Sequence, residues 1–151
     1  MVEGHRHSAI RNDPNCKICM KVWPPSDHFI GVVGVTQAYL FEDQYFSGWT
    51  VLVLPEHRTE LYDLAREERI QLIDEVSRVG EALTHVFTVR KINSELLGNQ
   101  VPHIHWHIIP RLLTDPDPLK PVWCIAHDPV KLSAQSLQDR LRVMRDALGI
   151  S

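Results

Sequence analysis

The stretch His103-Ile104-His105-Trp106-His107-Ile108-Ile109 decides how this chain is read. Histidines alternate with apolar residues that are β-branched or aromatic, which favours a strand over a helix. Side chains on a strand alternate between faces with a period of two. His103, His105 and His107 therefore project from one face, and Ile104, Trp106 and Ile108 project from the other, where they join a core. Three imidazoles on one face of a buried-type strand are costly unless each has a partner. A metal, an anion or a catalytic task supplies such partners.

Outward from this strand, Pro110 is expected to end it, and Gly98-Asn99-Gln100 forms the turn that leads into it through Pro102. Lys91 to Leu96 reads as a preceding strand. Further upstream, Leu64 to Arg90 carries a helical pattern. Its stripe of Ile70, Ile73, Val76, Gly80, Leu83 and Phe87 is expected to be core, and Glu67 and Glu68 suit the first turns. Earlier strands are read at Phe29 to Val35, Ala38 to Phe41 and Trp49 to Leu54, the last stopped by Pro55. Downstream, Thr114 to Pro121 is a loop on turn chemistry. Ser133 caps a last helix with an apolar face of Leu137, Leu141, Met144 and Leu148, and Gly149 stops it. Several strands around one long helix make an α+β domain with an antiparallel sheet of about five strands.

The 151 residues suit one domain with a hydrophobic core, and 44% hydrophobic with 23% charged residues is ordinary for a globular protein. A net charge of −3 weighs against nucleic acid as partner and leaves an anionic small molecule open. No apolar stretch is long enough for a membrane helix. Met1 to Asn15 is polar and lacks the apolar segment of a signal peptide, so a cytoplasmic chain is expected. Residues 1–15 are read as a flexible N-terminus, with His5 and His7 solvated, and residues 16–151 as the single domain. An odd set of cysteines, Cys16, Cys19 and Cys124, argues against a disulfide framework. Cys16-x-x-Cys19 has the spacing with which two thiolates grip one ion. Cys124 is expected to be a small buried residue, and His28, His85 and His127 structural or solvated.

The alternating motif at His103 to Ile109 resembles the signature of the histidine triad (HIT) family of nucleotide hydrolases and transferases. Other segments resemble it in order. These are the cysteine pair, Gly48 through His57, Lys91-Ile92-Asn93 and the Gly98-Asn99-Gln100 turn, together spanning about Cys16 to Arg111. The resemblance implies a HIT-like fold, often paired as a homodimer. It also implies attack by His105 on the α-phosphate of a nucleotide, through a covalent nucleotidyl-histidine that water hydrolyses. His107, on the same face, is assigned to phosphate contact and to helping the leaving oxygen. Asn93, Asn99 and Gln100 are candidate nucleotide contacts through amide donors.

In zinc-containing members, the first triad histidine and the histidine after the proline step complete a metal site. These match His103 and His57, giving structural zinc on Cys16, Cys19, His57 and His103. Two departures stand out. Trp49 occupies a position where many members have histidine, and Phe41 falls where the family's ribose-binding aspartate lies, with Glu42 or Asp43 as substitutes. His107, where a transferase branch has glutamine, favours hydrolysis of dinucleoside polyphosphates or nucleoside phosphoramidates. Two alternatives are a zinc-dependent hydrolase with triad histidines as metal ligands, and a non-catalytic nucleotide-binding module.

Overall fold

A computed structural model describes residues 12–151. His5 and His7 lie outside the described residues. Five strands, β1 (Phe29–Val32), β2 (Gln37–Leu40), β3 (Thr50–Val53), β4 (Val89–Glu95) and β5 (His105–Leu112), form one sheet. Its order is β1-β2-β3-β5-β4, with every neighbouring pair antiparallel. Two helices, α1 (Arg66–Val86) and α2 (Ala134–Leu148), complete the α+β fold expected from the sequence.

Strand periodicity separates two chemistries across the sheet. Leu40, Leu52 and Ile108 are fully buried against Val76, Val79 and Leu83 of α1 and Leu141 and Met144 of α2. Each such side chain contributes roughly 1.5–3 kcal/mol on burial. On the opposite face, Val51 pairs with His107 and Val53 with His105. There Val51 and Val53 pack on Cys16 and Ile18 of the N-terminal segment. The triad histidines thus sit on the face away from the helices, under a segment from the start of the chain.

α2 forms as read. The Ser133 hydroxyl accepts the Ser136 N–H, and Gly149 closes the helix at φ 67°. The stripe on α1 is shifted from the expected one. Leu72, Glu75, Val76, Val79, Gly80, Ala82 and Leu83 are buried, whereas Ile70 and Ile73 are 47% and 49% exposed. Each helical residue advances the direction by about 100°, so Ile73, next to Leu72, lies off the packed stripe although it keeps a three-residue spacing to Val76.

Pro110 does not end β5. It pairs with Ile92 of β4. β3 begins at Thr50 opposite Ile108, so past Ile108 β5 has a strand on one side only, where a residue lacking an N–H is tolerated. Cys124 is exposed, contrary to the expectation of a buried residue. It ends a short 3-10 turn in which Val122 is the buried member. Gly48, at φ 89°, faces the Phe87 ring, into which any side chain there would run. This close approach sets the position of Trp49, the residue just before β3.

Candidate functional site

Two backbone bonds and two ring-to-carbonyl bonds set the histidines. Leu54 N–H donates to Ile104 C=O at 3.1 Å, and Ile104 N–H donates to Arg58 C=O at 2.8 Å, so the loop around His57 is fastened to the entrance of β5. The His105 ring bonds through Nδ1 to the His103 carbonyl at 2.7 Å. A carbonyl only accepts, so Nδ1 carries the proton and Nε2 keeps its lone pair. His103 likewise donates from Nε2 to Leu54 C=O at 2.5 Å, which leaves its Nδ1 free as a ligand.

That Nδ1 sits in a cluster. It lies 3.3 Å from Cys16 Sγ, 3.5 Å from Cys19 Sγ and 3.1 Å from His57 Nδ1. Cys19 Sγ is 3.4 Å from His57 Nδ1, and the four ligand atoms all lie within 4.8 Å of one another. Zinc bonds of about 2.0–2.3 Å give a tetrahedron with edges of roughly 3.3–3.8 Å, so most of these separations already match a Cys2His2 shell. Asp13 supports it from outside, with Oδ2 3.7 Å from His57 Nε2. Burial raises the pKa of the Cys19 thiol, to which the neighbouring Cys16 adds, while a backbone N–H from the Asp13 region opposes the rise. A cation in the cluster would stabilise the thiolates. Of the triad, only His103 belongs to this group.

His105 and His107 instead line a cleft of about 670 Å³. Trp23 packs edge-on against His105, with ring centroids 5.2 Å apart, and its Nε1–H donates to both Glu42 oxygens at 3.0 and 3.1 Å. Trp123 stands 5.3 Å from His107 on another side and donates to Glu95 at 2.5 Å. Asn99 and Gln100 line the same cleft. Asn93 does not. Its Oδ1 accepts from Arg111 at 3.0 Å, in a neighbouring recess that also contains Lys91 and Lys120. Arg111, 3% exposed, also holds Asp115 and the carbonyls of Asp117 and Lys120, and so organises the Thr114 to Pro121 loop.

The two acidic candidates separate cleanly. Glu42 lines the cleft. Asp43 turns away, accepting from Tyr45 N–H, Val130 N–H and His127 Nε2, the last at 2.7 Å. Burial opposes ionisation of both partners, but the bonds outweigh it. The Asp43 pKa is lowered, chiefly by Val130 N–H and His127, and that of His127 is raised by the Asp43 carboxylate and the Ile125 carbonyl. His28 is buried beside Asp27, and His85 is exposed near Glu81.

Trp49 fills the place of the missing histidine. Its Nε1–H donates to His107 Nδ1 at 3.0 Å. Burial, helped by the adjacent His105, pushes the His107 pKa down to about 4, and burial likewise lowers those of His105 and His103. All three rings are neutral at pH 7, as a nucleophile and a metal ligand require. The sequence carried no spacing signal for Trp23, Trp123 or Asp13. Each comes from a loop that approaches the strand only in three dimensions.

The HIT domain family model matches residues 38–113, half of the chain. The chain belongs to the histidine triad family. A histidine triad protein from Bradyrhizobium japonicum shares 30% identity over 80% of this chain and 89% of its own, with a TM-score of 0.71. One from Marinobacter aquaeolei shares 28% over 81% and 88%, with a TM-score of 0.72. A zinc-bound family member from Mycobacterium smegmatis, 20% identical over 89% and 94% with a TM-score of 0.64, shares the fold. No curated protein sequence matches the chain. The family supports nucleotide binding and chemistry of the hydrolase type. No helix among the described residues is long and apolar enough to cross a membrane.

Proposed function

We propose that this chain is a nucleotide phosphohydrolase in which His105 attacks the α-phosphate of a dinucleoside polyphosphate or nucleoside phosphoramidate. The observation that carries this reading is the bond from His105 Nδ1–H to the His103 carbonyl, which leaves Nε2 with a lone pair on a ring lining the cleft. A neutral imidazole so fixed is a competent nucleophile toward phosphorus. Water then releases the nucleotide from the histidine.

His107 donates from Nε2 to the phosphate oxygens, and Asn99 and Gln100 add amide donors. Each well-placed donor supplies roughly 2–4 kcal/mol to the transition state. Glu42, which lines the cleft where Asp43 does not, would receive the ribose hydroxyls. Cys16, Cys19, His57 and His103 would hold zinc as a structural tie, fixing the N-terminal segment over the sheet. The donor set has no place for His105 or His107, which disfavours a catalytic-zinc reading. The protein works in the cytoplasm as a homodimer, for which Ile70 and Ile73 on α1 offer exposed apolar surface.

The test is to quench turnover of α-labelled diadenosine tetraphosphate in acid-free denaturant and look for label on the protein. Label at His105, lost together with turnover in His105→Ala, is expected. Full turnover by His105→Ala would refute the assignment.

A further inference from the structure

An indole has one polar hydrogen and no lone pair to accept with. Trp49 is 2% exposed, and its only hydrogen-bonding group is spent on His107 Nδ1 at 3.0 Å. Nδ1 must therefore carry a lone pair, and the single ring proton of His107 must sit on Nε2. A proton added to Nδ1 would oppose two N–H donors in a buried place and break the bond. A proton given up from Nε2 would leave an imidazolate. His107, held in this way, can donate a hydrogen bond but has no proton to transfer. A histidine in place of Trp49 would not impose this, because imidazole can both donate and accept.

We infer that Trp49 is a positioning residue that makes His107 a fixed hydrogen-bond donor, and that the chain is thereby restricted to phosphoanhydride substrates over phosphoramidates. This inference rests on the nucleotidyl-histidine reading above. In the first step the His105 Nε2 lone pair forms the N–P bond. The bond from phosphorus to the bridging oxygen breaks, and that oxygen leaves with the electron pair as a phosphate oxyanion. No proton is needed, because the leaving nucleotide is a stable anion. In the second step water oxygen bonds to phosphorus, its proton passes to solvent, and the N–P pair returns to Nε2.

A phosphoramidate breaks P–N instead, and the electron pair falls on nitrogen. An amide anion is too basic to leave, so a proton has to arrive with bond cleavage. The other titratable groups lining the cleft do not replace His107 in this task. Glu42 is engaged by the Trp23 indole, and Lys17 is exposed on a flexible four-carbon stem and is not fixed against the leaving nitrogen.

The experiment compares kcat/KM for diadenosine tetraphosphate and adenosine 5′-phosphoramidate in the full chain, its Trp49→His variant and its Trp49→Phe variant. The wild type is expected to favour the anhydride by at least about 100-fold, the usual contribution of a general acid. Trp49→His should narrow that ratio by about tenfold or more, through kcat on the phosphoramidate. Trp49→Phe keeps an apolar ring without the N–H, and should narrow it as well by freeing Nδ1. Nitrogen NMR of His107 in the wild type is expected to show an unprotonated Nδ1 accepting a hydrogen bond and a proton on Nε2.

Equal use of both substrates by the wild type, or a proton on Nδ1, would overturn the inference and leave the nucleotidyl-histidine reading standing. An anhydride preference unchanged in both variants would overturn it too. If neither substrate is turned over, the underlying reading fails, and the inference with it. Where the variants do not fold, the wild-type ratio and the NMR tautomer decide the matter alone.

Discussion

The Trp23 indole donates to both oxygens of Glu42 while its ring stands edge-on to His105. This one side chain joins the N-terminal segment, which bears Cys16 and Cys19, to Glu42 and His105 of the cleft. Under the proposed function, loss of the metal ligands would therefore reach the substrate cleft through Trp23.

Removing the metal ligands should affect metal site and cleft alike. Cys16→Ser with Cys19→Ser is expected to abolish zinc content and cost more than about 3 kcal/mol in stability, because loss of a metal leaves a buried donor cluster unsatisfied. KM should rise and kcat fall together, since Trp23 both lines the cleft and packs edge-on against His105. Metal analysis, thermal unfolding and steady-state kinetics check the three parts. Retention of stoichiometric zinc by the double variant would contradict the assignment of the ligands.

Glu42→Gln keeps an acceptor for the Trp23 indole but removes the charge. Loss of charged hydrogen bonds to ribose should cost about 1.5 kcal/mol, or roughly tenfold in KM. The penalty should vanish with a substrate lacking the ribose hydroxyls. An equal penalty on both substrates would mean that Glu42 serves only Trp23. Asp43→Asn, by contrast, should lower stability and leave KM unchanged.

Acid should weaken the fold through the triad. His107 has a pKa of about 4 when folded, against an ordinary 6.5, so the unfolded chain takes up a proton that the folded one refuses. Stability then falls as pH drops from about 6.5 toward 4, by roughly 3 kcal/mol from this ring. His103 and His105 act in the same direction. The His127–Asp43 pair acts otherwise. The raised His127 contributes fully below about 6.5 and is lost as pH rises through its folded value. The lowered Asp43 contributes above about 4 and is lost as pH falls through its folded value. Denaturant midpoints at pH 5 should lie below those at pH 7.5, with a flatter slope in His107→Gln and a steeper one in His127→Gln. Greater stability at pH 5 than at 7.5 would count against the neutral, buried triad.

Glu75 presents a purely structural case. It is 2% exposed and accepts from Val35 N–H, Thr36 N–H, the Thr36 hydroxyl and the Gln71 amide, so α1 caps the turn between β1 and β2. Glu75→Ala strands those donors and should cost about 3 kcal/mol in chemical denaturation. Glu75→Gln, which keeps one acceptor oxygen, should cost less.

Local chemistry decided much of this protein. The alternation at His103 to Ile109 pointed to a strand with its imidazoles on one face, and β5 begins at His105, so side-chain period sets His105 and His107 while His103, just before the strand, is set by its bond to Leu54. Ser133 and Gly149 bounded α2 for a similar reason, since capping depends on the residue at the cap. The spacing of Cys16 and Cys19 pointed to a shared ion before any partner was visible.

Tertiary structure decided the rest, because a hydrogen-bonding partner or a buried direction depends on segments distant in sequence. Glu42 and Asp43 are adjacent carboxylates, and nothing local distinguishes them. Trp23 and His127, contributed by remote loops, send one to the cleft and the other to a structural pair. Arg111 drew Asn93 aside, and packing with Leu54, Leu64 and Ile104 selected Leu72 over Ile73 for burial. Trp49 became the partner of His107 only because β3 and β5 lie side by side, which brings the donor-only indole against the ring nitrogen it controls.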